Sequence, residues 1–121
     1  MNSWSITLPF PPSTNNLHRN VKVNVRPKSK VYTKWIKNSD ALALAQKPFC
    51  IFDNRVDIIV YINGGTDHYD CDNFLKAPID YIVNLGVIKD DKKPHVKSAK
   101  AEWNDDIPKG SCMIFVEECL T

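Results

Sequence analysis

The run Val56-Asp57-Ile58-Ile59-Val60-Tyr61-Ile62 is the strongest constraint on the fold. It is mostly β-branched and apolar on both alternating positions, a pattern that suits a strand covered on both sides and places it inside a sheet. Asn63-Gly64-Gly65-Thr66 supplies a turn, and from Asp72 to Leu85 the apolar period changes to that of a helix. Leu75, Ile79, Ile82 and Leu85 make its expected stripe, flanked by Phe74 and Ala77, with Asp72 as N-cap and Gly86 just past its end. Pro78 falls inside this span, so a kink is expected there.

The other elements are read around that pair. Trp4-Ser5-Ile6-Thr7-Leu8 alternates as a half-buried strand and is stopped by Pro9, Pro11 and Pro12. Ser13-Thr14-Asn15-Asn16 is a polar loop whose amides and hydroxyls suit either turn chemistry or phosphate contact. Val21 to Arg26 alternates strictly, as a short strand or a basic-faced arm. Ser29 to Gln46 is helical, with Val31, Trp35, Ile36, Leu42 and Ala45 as the expected apolar stripe. Phe49 to Phe52 is expected to be a strand, or the first part of one bent at Asp53-Asn54. Val96 to Trp103 and Met113 to Val116 complete the strands, with the turn between them at Asn104 to Gly110. The expectation is one domain over residues 1–121, of class α+β, with two helices on a small mixed sheet.

Charge separates along the chain. Residues 1–60 carry nine Lys/Arg against three Asp/Glu, whereas residues 61–121 carry seven against eleven. Arg19, Lys22, Arg26, Lys28, Lys30, Lys34 and Lys37 follow one another without an acid. A basic lobe beside an acidic cluster suits a polyanion that is first held and then presented to cations. The same lysines equally suit a solvated helix face. No apolar run approaches the ~20 residues of a membrane span. The first residues lack the basic and apolar regions of a secretory leader, so a cytoplasmic protein is expected. The four cysteines, 50, 71, 112 and 119, have no CxxC spacing and are expected to be reduced.

The chemistry concentrates between Asp70 and Asp91. Asp70 and Asp72 precede the helix, Lys76 and Asp80 follow at successive turns of one face, and Asp90-Asp91 lie in the loop beyond. Read as an EF-hand from Asp70, the stretch fails, because Leu75 and Tyr81 stand where glycine and the terminal acid are required. Carboxylates brought together from a helix entry and a later loop can bind Mg²⁺, which needs only a few when substrate phosphate completes its shell. Such a metal polarises a phosphodiester and lowers the pKa of an attacking water. The spacing is equally compatible with a cap at Asp72, an i,i+4 pair at Lys76–Asp80 and a charged turn at Asp90-Asp91.

The stretch DCDNFLKAPIDYIVNLGVIKDD, with the upstream ITLPFPPSTNN, resembles the RusA family of Holliday-junction resolvases. The pattern is met at Asp70, Asp72, Asn73, Lys76, Asp80, Gly86, Asp90 and Asp91, and the likeness extends over nearly the whole chain. Tyr69 departs from it, standing where relatives often carry a basic residue. The resemblance implies a homodimeric, Mg²⁺-dependent endonuclease, with Mn²⁺ as a substitute, that resolves four-way DNA junctions by paired symmetric nicks. It implies metal ligation by Asp70, Asp72 and Asp91, and catalytic action of Lys76 near the scissile phosphate. Asn73, Asp80 and Asp90 become supporting residues. Asn15, Asn16, Arg19, Lys22, Arg26, Lys28, Lys30 and Lys34 are the expected DNA contacts. A phage or prophage origin also follows from the resemblance. The alternatives are a non-catalytic branched-DNA-binding module and a metal-dependent nucleotide phosphohydrolase.

Overall fold

The computed structural model describes residues 2–18 and 27–119. The strands are β1 (Ser3–Pro9), β2 (Val56–Asn63), β3 (Val96–Trp103) and β4 (Ser111–Glu118). The helices are α1 (Lys30–Leu44) and α2 (Lys76–Asn84), and 3₁₀ turns cover Thr14–Asn16 and Cys71–Phe74. The strands form one mixed sheet in the order β1-β4-β2-β3, with β2 parallel to β3 and antiparallel to β4. This is the α+β class expected, with two helices on a small mixed sheet. The Val21 to Arg26 strand or arm, with Arg19, lies outside the described residues.

β2 is internal, as its composition requires, but only alternate residues are sealed. Val56, Ile58, Val60 and Ile62 are fully buried, while Asp57, Ile59, Tyr61 and Asn63 are half-exposed on the opposite face. One core joins the first set to Ile6, Leu8, Ile114 and Val116 of the sheet and to Tyr32, Trp35, Ala77, Ile79 and Ile82 of the helices. Both helices therefore pack on the same face. Asn104 to Gly110 joins β3 to β4 but is not a hairpin turn, because β2 lies between them. The α2 crossover places β3 parallel against β2 and leaves β4 the other side.

Three sequence expectations are corrected. Phe49 to Phe52 is no strand: Phe52 is buried in the core and its N–H donates to the Val87 carbonyl at 2.8 Å. The buried face of α1 is Tyr32, Trp35, Ser39 and Ala43, whereas Val31 and Leu42 are 60% and 45% exposed. Ser29 caps this helix, its hydroxyl accepting from the Tyr32 N–H at 3.1 Å. Gln46, just past the helix, exchanges two hydrogen bonds with the Thr7 backbone, at 2.9 and 2.7 Å, and so blocks part of the free edge of β1.

The third correction concerns α2. Asp72 does not cap it, since Leu75 occupies the N-cap position and Asp72 lies in the preceding 3₁₀ turn. Pro78 is therefore the third helical residue, where a missing N–H leaves no ladder bond unmade. The expected kink becomes a break one turn upstream, between turn and helix. Pro78→Ala should accordingly lower stability by about 1 kcal/mol, through lost packing of a buried ring and a less restricted unfolded chain. Relief of a true mid-helix proline would instead raise it by up to ~3 kcal/mol. Urea denaturation separates the two signs.

α1 and α2 are tied by the Tyr81 hydroxyl, which donates to Asp40 at 2.7 Å. Burial first, and then the Asp40 carboxylate, push the phenol's pKa well above the ordinary tyrosine range. A raised folded-state pKa gives stability that is present below the unfolded value of about 10 and is lost as pH rises above it. Tyr81→Phe should cost about 1 kcal/mol at neutral pH and flatten the decline in melting temperature above about pH 10.

Candidate metal and nucleic-acid site

The site begins where β2 ends. Gly65 turns the chain with φ +75°, and a Cβ there would stand 2.5 Å from the Tyr69 ring, so the turn requires glycine. Tyr69 packs edge-on against Phe74, with ring centres 5.3 Å apart, and Phe74 meets both Phe10 and Trp103. This aromatic cluster anchors the 3₁₀ turn to the sheet and fixes where Asp70 and Asp72 leave it. Asp70 stands at the start of the turn with no side-chain capping bond, and both carboxylates are exposed. Among the described residues neither is in an ion pair.

Lys76, the first residue of α2, links the helix to the loop that follows it. Its Nζ lies 3.2 Å from Asp80 Oδ1 and 3.8 Å from Asp91 Oδ2, although Asp91 belongs to the loop after the helix. All three side chains are partly exposed, so each pair contributes at most about 1 kcal/mol to stability. Asp90 is turned to local duty. Its carboxylate accepts from the Asp91 N–H at 2.7 Å and pairs with Lys92 at 3.7 Å. The Asp91 N–H chiefly holds its pKa below the usual carboxylate range.

The upstream polar loop docks on the same turn. Thr14 donates its hydroxyl to the Asn73 carbonyl at 3.0 Å, which places Asn15 and Asn16 next to the acid-bearing turn. Asn16 is partly committed to its own loop, its amide donating to Ser13 at 3.1 Å. Lys28, Lys30, Lys34 and Lys37 line a shallow cleft of about 580 Å³ on α1. A smaller cleft of about 240 Å³ brings Lys28 and His18 to Tyr32 and Asp80, linking the lysines to the Lys76 group. Arg19, Lys22 and Arg26 lie outside the described residues.

The donor set suits a hard cation, being carboxylate oxygens open to solvent. Its geometry is less closed than the spacing suggests. Among the described residues no three His, Cys, Asp or Glu side chains are grouped closely enough to enclose an ion, and Lys76 is the group beside Asp91. Sequence reasoning did not single out His18, Tyr32 or Trp103, and it noted Tyr69 only as a departure from the family pattern. Trp103 and Tyr69 are 44% and 47% exposed and border a cleft of about 430 Å³ with Gly65, Thr66 and Lys109. Only the juxtaposition of Tyr69 with Asp70 signalled that neighbourhood in the sequence.

The cysteines are all free thiols. Cys112 is sealed in the core, where burial pushes its pKa up to about 12. No described helix is long and apolar enough to cross a membrane. No protein-family model matches the chain, and no curated protein matches it.

Proposed function

We propose that the chain is a metal-dependent phosphodiesterase acting on DNA. More particularly, we read it as a homodimeric RusA-type endonuclease that resolves four-way junctions by paired nicks, working in the cytoplasm and carried by a phage or prophage. The observation that supports this reading is the Lys76 ammonium, which lies within ion-pairing distance of both Asp80 on α2 and Asp91 in the loop beyond it.

In this reading Asp70, Asp72 and Asp91 would hold Mg²⁺, or Mn²⁺ in its place. When bound, such an ion supplies Lewis acidity toward the phosphodiester and lowers the pKa of water. Water adds to phosphorus in line, the bond from phosphorus to the 3′-oxygen breaks, and the proton ends on that oxygen. The products are a 5′-phosphate and a 3′-hydroxyl. Lys76 offsets the negative charge gathering on the phosphoryl oxygens. Asp80 keeps the lysine in place, and Asn73 supports the turn that bears Asp72. Asn15, Asn16 and the basic residues Arg19, Lys22, Arg26, Lys28, Lys30 and Lys34 hold the junction arms, so binding weakens steeply with salt.

Comparing a four-way junction, a linear duplex and a mononucleotide tests this assignment. A junction-resolving nuclease cuts the first alone, and only with Mg²⁺. A nucleotide hydrolase consumes the third, and a binding module retains the junction without cutting it.

A further inference from the structure

The cleft bordered by Tyr69 and Trp103 takes no part in the chemistry proposed above. Both rings are nearly half exposed and stand outside the core, which they meet through the buried Phe74 ring. They are inclined to Phe74 by 60° and 66°, so neither is stacked flat on it. One exposed aromatic is ordinary, but two that border the same cleft mark a binding surface. Its walls are already built. At the end of β2 the Ile62 carbonyl accepts from the Asn104 N–H at 2.9 Å, and the Asn63 carbonyl from the Gly110 N–H at 2.7 Å. The Asn63 amide donates to the Ile107 carbonyl at 2.8 Å. The loop between β3 and β4 is thus fixed at three points, and a ligand need not order it on binding.

Three charged side chains border the cleft, Asp67, Asp105 and Lys109. All are exposed and, among the described residues, none is in an ion pair. Two carboxylates against one ammonium make a poor seat for free phosphate. They suit a flat, neutral heterocycle that stacks on the rings and donates N–H groups to the carboxylates. Each nucleobase carries such donors on its Watson–Crick edge, and base pairing occupies them. We infer that this cleft takes one unpaired, unstacked nucleobase of a DNA strand, with Lys109 beside the adjoining phosphate. Its volume of about 430 Å³ falls within the ~300–1,000 Å³ of small-ligand sites, which admits one nucleotide and not a duplex.

The cleft adjoins the acid-bearing turn, because Tyr69 directly precedes Asp70 and Phe74 closes that turn. The Cys71 thiol, 3.5 Å from the Ala101 carbonyl, ties the turn to β3, the strand that ends at Trp103. A strand whose base enters the cleft therefore passes the proposed metal ligands. Extruding a base is least costly where pairing or stacking is already interrupted, so the cleft favours branched or frayed DNA over continuous duplex. Stacking on aromatic rings tolerates any base, and no sequence need be read. The inference rests on the proposed action on DNA only in naming that polymer; its ground is the cleft.

Fluorescence anisotropy with a labelled single strand and a fully paired duplex tests it, in a chelator so that no cutting intervenes. Trp103→Ala should weaken binding to the single strand about tenfold and to the duplex about twofold at most. Trp103→Phe, which keeps a ring, should recover most of the loss. Lys109→Ala should lower the salt slope of single-strand binding by about 0.7, one phosphate contact. An abasic strand, which keeps the phosphates, should bind the wild type and Trp103→Ala equally weakly. Should the alanine variant not fold, the abasic strand decides. Equal losses on strand and duplex, no loss with Trp103→Ala, or an abasic strand held as tightly as an ordinary one overturns the cleft. If junctions are cut and these results fail, this inference alone falls. If the single strand is held through Trp103 and nothing is cut, only the nuclease reading falls.

Discussion

Asp72→Asn should reduce junction cleavage at least about 10²-fold while leaving the protein folded. Asparagine keeps the size and one oxygen of the side chain but removes the charge that a hard cation needs. Asp72 is exposed, lies in a 3₁₀ turn and does not cap α2, so no structural duty competes with the proposed one. An exposed substitution of this kind changes stability by about 0.5 kcal/mol or less. Single-turnover cleavage and thermal unfolding on the same preparation separate the two effects. Wild-type cutting by the variant would sink the ligand role of Asp72. Loss of folding would show that the turn depends on the carboxylate in a way its geometry does not reveal.

Ile58→Ala should destabilise the domain by about 2–5 kcal/mol, enough to abolish most of the stability of a chain this size. Ile58 is fully buried on β2, between Ala99 and Val116, at the centre of the one core that both helices share. Its neighbour Ile59 provides the control. Pointing to the half-exposed face, Ile59→Ala should cost the isolated fold about 1 kcal/mol. Urea midpoints for the two variants, read at a concentration that favours the monomer, should differ severalfold in their shift. Equal shifts would mean that the open face is packed as firmly as the core.

Period and composition made β2, β3, β4 and both helices legible, because each is a long stretch with one dominant pattern. Where tertiary context chose among apolar residues, the pattern misled. Ser39 sits fully buried on α1 while Val31 and Leu42 face solvent, so a count of apolar spacings finds Trp35 and Ile36 but misplaces the rest of the stripe. Phe49 to Phe52 is apolar because Phe52 fills the core from a loop, which composition does not distinguish from a strand. Pro78 breaches helix rules only if the N-cap is Asp72, three residues before its place at Leu75. In the site, residue types and spacing singled out Asp70, Asp72, Lys76, Asp80 and Asp91. That Lys76 reaches Asp91 depends on the path of the loop after α2, which spacing leaves open. The same holds for the half-exposed sheet face, whose existence depends on both helices choosing one side.

The central claim is tested most directly by mapping cuts on a four-way junction labelled in turn on each strand, with Mg²⁺ and with a chelator. Two nicks at symmetry-related positions in opposed strands, each leaving a 5′-phosphate and a ligatable 3′-hydroxyl, and none with the chelator, is the predicted result. A junction bound but intact in Mg²⁺, or cut equally well in the chelator, would contradict it.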